Sequence, residues 1–247
     1  MTESETPAPS PDMGLLARAI GVITSPTATF QAIVQQPRPV IILLLIALVT
    51  GVSAAIPQFT ERGRQAALQM QVEQMERFTG QPLSDEMYQR MEAQSHSPIG
   101  GIGAVVGTLI FMPIIALFFT ALYWAVFNAV LGGTAAFKQV LGVVTHSMVV
   151  LALGALATLP VQLMSTKWTT TGPFNLAALA PMLAPESFLS RVLSGLNVFT
   201  IWQIAILGIG LGVLYKKKPG GITVTLMVLY VVIVVGVVSI FSSFMGR

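Results

Sequence analysis

Five stretches of this chain contain no Asp, Glu, Lys or Arg: residues 39–60, 93–137, 139–166, 192–215 and 219–246. Each reaches the ~20 residues an α-helix needs to cross ~30 Å of hydrocarbon. Charged residues make up only 9% of the 247, against roughly 25% in an ordinary soluble domain. So small a stock cannot cover a water-facing surface, which excludes a soluble globular protein. The apolar runs are continuous and do not alternate with period two, which disfavours a β-barrel. The expected fold is an all-α integral membrane protein with five transmembrane helices, at about 39–57, 99–131, 139–163, 192–214 and 222–244.

The second run is too long for a simple crossing. From Ile99 to Leu131 a helix extends ~50 Å at 1.5 Å per residue, so it must tilt, project or bend, and Pro113 supplies a place to kink. Ahead of the first span, residues 1–13 hold three acidic residues, three prolines and no Lys or Arg. They lack the positive region of a signal peptide and are expected to form a disordered polar tail. Residues 14–38 carry Leu15, Leu16, Ala19, Ile20 and Ile23, then Phe30, Ile33 and Val34, at helical spacing. Ser25-Pro26 between the two sets marks a helix start. Two short amphipathic helices lying in the membrane interface are expected.

Residues 39–246 form the membrane domain, with 58–98 as an inserted polar hairpin. Glu61 to Phe78 reads as one helix, Thr79-Gly80-Gln81-Pro82 breaks it, and Ser84-Asp85-Glu86 starts another. Met70, Met75, Met87 and Met91 with His96 suggest a soft-metal site. Apolar stripes of the two helices explain them better, since no Cys or second His accompanies them.

Orientation follows from the Lys/Arg asymmetry. Lys216-Lys217-Lys218 fills a tight turn between the fourth and fifth spans. Placed in the cytoplasm, it brings Lys138, Arg18, Arg38 and the N-terminus to the same side. The hairpin, the 164–191 loop and the C-terminus then face outward. Three lysines beside a membrane also attract anionic headgroups, at ~1 kcal/mol each.

Chemical motifs are sparse. The absence of Cys removes disulfides, thiolate metal sites and thiol nucleophiles. No His-Glu-x-x-His, Gly-x-Ser-x-Gly or Walker lysine motif occurs. No Asp or Glu lies in a span, which argues against an intramembrane aspartyl protease and carboxylate proton coupling. Gly101, Gly103 and Gly107, and again Gly208, Gly210 and Gly212, are spaced for close helix contact. Gly107→Leu and Gly212→Leu are therefore both expected to destabilise the bundle. The remaining intramembrane polar residues are Asn128, His146, Gln162, Asn197 and Gln203. His146 is the most unusual, and Asn128 and Asn197 read as glue between helices.

Ser25-Pro26-Thr27-Ala28-Thr29-Phe30-Gln31-Ala32-Ile33 resembles the Ser-Pro-x-x-x-Phe-x-x-Ile segment of bacterial Yip-domain proteins. Gly132 to Val144, GGTAAFKQVLGVV, resembles the Gly-Gly-x-x-x-Phe-Lys-x-x-Leu element before that family's third span. Pro160 falls where the family often carries a proline, and the likeness covers about residues 14–245. It implies five spans, a bacterial inner-membrane location with the N-terminus cytoplasmic, and no catalytic residues. Eukaryotic relatives act in vesicle traffic and bind prenylated Rab-type GTPases.

Two functions follow. One is a non-enzymatic scaffold or adaptor, with the bilayer, its anionic lipids and a membrane or cytoplasmic protein as partners. The other is a small transporter, channel or lipid-handling protein with a polar path near His146, Asn128 and Gln162. No cofactor, metal or nucleic acid is expected in either. A conduit needs those three side chains to share a cavity, whereas a scaffold needs them paired between packed helices.

Overall fold

The computed structural model describes residues 13–168, 172–184 and 187–245. The tail expected at 1–13 therefore lies, apart from Met13, outside the described residues. Among these residues every named element is a helix, and the one β-type contact is an isolated antiparallel bridge, Asn175 to Asn197. Five apolar segments are long enough to span a bilayer: Pro39–Phe59, Ile99–Val130, Phe137–Met164, Val198–Tyr215 and Pro219–Ser243. The protein is an all-α integral membrane protein.

Two short helices come first, α1 (Leu15–Thr24) and α2 (Pro26–Gln35). Pro26 opens α2 at its first position, where a missing N–H costs nothing. Ser25 makes no side-chain cap; its carbonyl instead accepts from the Thr29 hydroxyl at 2.9 Å. α2 is part of the core, since Phe30 and Ile33 are fully buried. The Arg18 guanidinium of α1 is buried too, donating from Nε to the Met13 carbonyl (2.9 Å) and from Nη1 to that of Gln36 (2.6 Å). Leu16 and Ile20 on the opposite face remain exposed.

The first span is α3 (Pro39–Ala55), extended by a short 3-10 turn to Phe59. Thr60 caps the next helix, α4 (Glu61–Thr79), by accepting from the Gly63 N–H at 3.1 Å. Gly80, in the left-handed region at φ 69°, ends α4, and Ser84 caps α5 (Asp85–Ser95). The Arg64 guanidinium, bonded to the Glu61 carboxylate, holds the exposed acid below its usual range. α5 has no buried residue, and Met75 and Met87 stay exposed. Met70 and Met91 are half-buried, and α4 buries Gly63, Ala66 and Leu68.

The second span is α6 (Ile99–Trp124), continued by a wider π-type turn over Ala125–Val130. The third is bent inside its apolar run: α7 (Phe137–Ser147) meets α8 (Val149–Met164) at Met148. There the Met148 N–H reaches both Thr145 (3.2 Å) and Val144 (3.3 Å), a tightened turn. This span is the core of the bundle, with 67% of its most apolar window buried, against 6% for α6.

The fourth span begins later than the expected 192 and the fifth earlier than the expected 222. Residues 192–197 do not start the fourth. Phe188–Gly195 is a separate short helix, α9, and α10 begins at Val198 and runs to Tyr215. Asn197 sets that boundary, its Oδ1 accepting from the N–H groups of Phe199 (2.9 Å) and Thr200 (3.4 Å). Asn197 is therefore a helix cap and not interhelical glue, which Asn favours because its short amide mimics the missing turn. Asn197→Ala should cost about 1 kcal/mol of stability, read as a lower melting temperature in detergent. The fifth helix, α11 (Pro219–Met245), starts at Pro219 and not near 222. A proline at the first helical position needs no partner for its nitrogen, so the turn between α10 and α11 is Lys216 to Lys218 alone.

The bundle thus has two ends. One gathers α1, α2, the 131–136 turn and the lysine turn, tied together where Gln139 Nε2 donates to the Val34 carbonyl (3.1 Å). The other gathers the hairpin, α9 and the described loop residues 165–168 and 172–184, and there the Tyr230 hydroxyl on α11 donates to the Gly195 carbonyl (2.8 Å).

Candidate functional site

His146, Asn128 and Gln162 are not brought together. His146 lies in the middle of the third span and is fully buried. Its Nδ1 is 2.7 Å from the Gly142 carbonyl, which can only accept, so Nδ1 carries the hydrogen. Nε2 is then left without a partner among the described residues. Next to it, the Ser147 hydroxyl donates to the Val144 carbonyl (2.7 Å) and accepts from Gln203 Nε2 of α10 (3.3 Å). That side-chain pair joins the third and fourth spans. Asn128 sits at the lysine end, where its Nδ2 donates to the Ala135 carbonyl at 2.7 Å, as does Trp124 Nε1 at 3.0 Å. It straps the end of α6 to the turn before α7 and does not cross between helices. Gln162 lies near the opposite end, its backbone carbonyl accepting from Trp168 Nε1 (3.2 Å).

The glycines also divide. A Cβ on Gly208 would overlap the Thr223 hydroxyl, and one on Gly212 would stand 2.8 Å from Pro219 Cγ. These two let α10 and α11 approach. Gly103 and Gly107, expected to do the same for α6, do not: a Cβ on either meets nothing within 4 Å. The close approach of α3 to α6 is made from the other side, by Gly51 against Val105 Cα at 3.1 Å. Spacing on one helix does not reveal which face its partner covers.

Two small cavities, about 190 and 160 Å³, flank Arg64 in the hairpin. A larger one, about 470 Å³, opens at the lysine end. Phe127, Leu131 and Leu214 give it an apolar wall; Gln139, Tyr215, Lys216 and Lys217 give it a polar one. None of the three cavities is lined by His146, Asn128 or Gln162. The π-type turn shapes the larger one: the Phe127 carbonyl turns out to accept from the Gly133 N–H (2.9 Å), while the Phe127 ring stacks on Tyr215 with centroids 4.6 Å apart. The Gly-Gly turn and the lysines are each visible in the sequence. Their meeting across two intervening spans is not.

Comparison with known proteins agrees with this architecture. The Yip1 domain profile matches residues 20–241, nearly the whole chain. The chain belongs to the Yip1-domain family. The Yip1-domain chain is also similar to the membrane protein YknW of Bacillus subtilis strain 168, at 27% identity over 229 residues, covering 92% of this chain and 88% of that one. No solved structure matches it. The Yip1 match takes in α2, the Gly-Gly turn and all five spans, so the lysine-end cavity lies wholly within the family domain.

Proposed function

We propose that this protein is a non-catalytic membrane adaptor, held in the bacterial cytoplasmic membrane with its lysine end in the cytoplasm. One observation carries the reading: His146, Asn128 and Gln162 lie apart along the bundle, the first mid-span and the others near opposite ends, and none of them lines any of the three cavities. A conduit requires the opposite. The orientation is supported by the dense run Lys216 to Lys218 in the short turn between two spans, with Lys138, Arg18 and Arg38 at the same end, set against Arg62, Arg64, Arg77 and Arg90 of the hairpin at the other. At that end the exposed Leu16 and Ile20 of α1 rest in the headgroup layer and present the adaptor's working face. The Yip1 domain, as a family not known for catalysis, supports the non-enzymatic part.

Single cysteines test both halves, because the natural chain has none. A cysteine at 75 should react with an impermeant reagent added outside intact cells, and one at 217 only after lysis. At position 146 a small permeant thiol reagent should fail to react in the folded protein. Labelling at 217 but not 75 would overturn the orientation. Ready modification at 146 would reveal an aqueous path and favour the conduit.

A further inference from the structure

We propose that the lysine-end cavity is a binding site for one phosphate-bearing anion, supplied by the headgroup of an anionic lipid or by free phosphate. The inference rests on the adaptor reading only in placing this end at the lipid–water boundary. Its volume of about 470 Å³ lies within the ~300–1,000 Å³ of ligand pockets. No acidic side chain lines it, while Lys216 and Lys217 do, and neither lysine makes an ion pair among the described residues. The apolar wall suits the glycerol and upper chain of a lipid below the phosphate.

Two further observations at the cavity support this reading. The Tyr215 hydroxyl is buried and has no hydrogen-bond partner among the described residues, an arrangement that a ligand oxygen would relieve. Lys216 is the one non-glycine residue at positive φ among them, at 51°. A lysine there is strained where glycine would be at ease. Retaining an ammonium at a position that disfavours any side chain points to a use for the charge.

A bound anion distinguishes the three lysines, because Lys216 and Lys217 line the cavity and Lys218 does not. General attraction to a charged membrane does not distinguish them. The purified full chain is titrated with phosphatidylglycerol or phosphatidylcholine and followed by native mass spectrometry. One phosphatidylglycerol should bind per chain, preferred over phosphatidylcholine. Lys216→Gln or Lys217→Gln should weaken it about fivefold or more, while Lys218→Gln should leave it unchanged. Thr134→Trp, which fills the cavity but keeps every charge, should remove it. Lys216→Gly should melt at a higher temperature yet bind more weakly, which separates the charge from the fold. A parallel titration with inorganic phosphate assigns the source: displacement of the lipid at millimolar concentration points to free phosphate, and resistance to the headgroup. Equal losses from all three lysine variants, or undiminished binding by Thr134→Trp, would overturn the site. The titration in detergent is independent of sidedness, so the cysteine panel and this experiment fail separately.

Discussion

Gly208→Leu should unfasten the last helix, lowering stability by about 3 kcal/mol or more. The Thr223 backbone on α11 faces Gly208 directly, its Cα 3.0 Å from where a Cβ would stand, and backbone cannot rotate aside. In a bilayer, helices associate through close packing and not through hydrophobic exclusion from water, so the leucine gains nothing elsewhere that offsets the separation of the two helices. α11 is otherwise held mainly farther along, by the Tyr230 hydroxyl against Gly195 and by Arg191 against Ser242, with only 11% of its most apolar window buried. Thermal unfolding in detergent reads the loss directly. Gly107→Leu is the control and should melt within about 0.5 kcal/mol of the parent, since its Cβ enters open space. Two variants with equal melting temperatures would mean that α10 and α11 do not meet as described.

Arg18→Met should release the N-terminal helices at a cost of about 2–6 kcal/mol, the sum of the two carbonyls it strands. The guanidinium is 1% exposed and joins residues on either side of the α1–α2 pair, reaching the carbonyls of Met13 and Gln36. Methionine keeps the stem volume and removes every donor, stranding those carbonyls at ~1–3 kcal/mol each. Arg18→Lys should recover only part of the loss, because one ammonium cannot present the two-sided fork of a guanidinium. Limited proteolysis is the measurement: the Met variant should be cut between residues 13 and 37 well before the bundle opens. Unchanged cleavage would show that Phe30 and Ile33 alone hold α2 in place.

Charge placement makes the number of spans and the hairpin legible, because no Asp, Glu, Lys or Arg falls inside any of the five long gaps. The interruptions within the gaps carry no such mark. The tight turn at Met148, the wide turn at Ala125–Val130 and the cap at Asn197 all fall in apolar surroundings. Each is decided by local backbone bonding that hydropathy does not register. The same limit governs the glycines. Gly103 and Gly208 have similar spacing to neighbouring glycines, and only the packing separates the one facing open space from the one against Thr223. Of the candidate site, Lys216 to Lys218 and Gly132-Gly133 can be picked out singly. Tyr215 and Gln139 become members only once the π-type turn has brought the Phe127 carbonyl to Gly133.

The third span is the most enclosed of the five, and it is made before the helix that covers its polar stripe. Until α10 has been inserted, Ser147 lacks the Gln203 side chain that donates to it. Before then α7 has only the earlier helices, chiefly α2, α3 and α6, to pack against. A released chain truncated after residue 195 should be degraded by membrane proteases, whereas one truncated after residue 218 should persist.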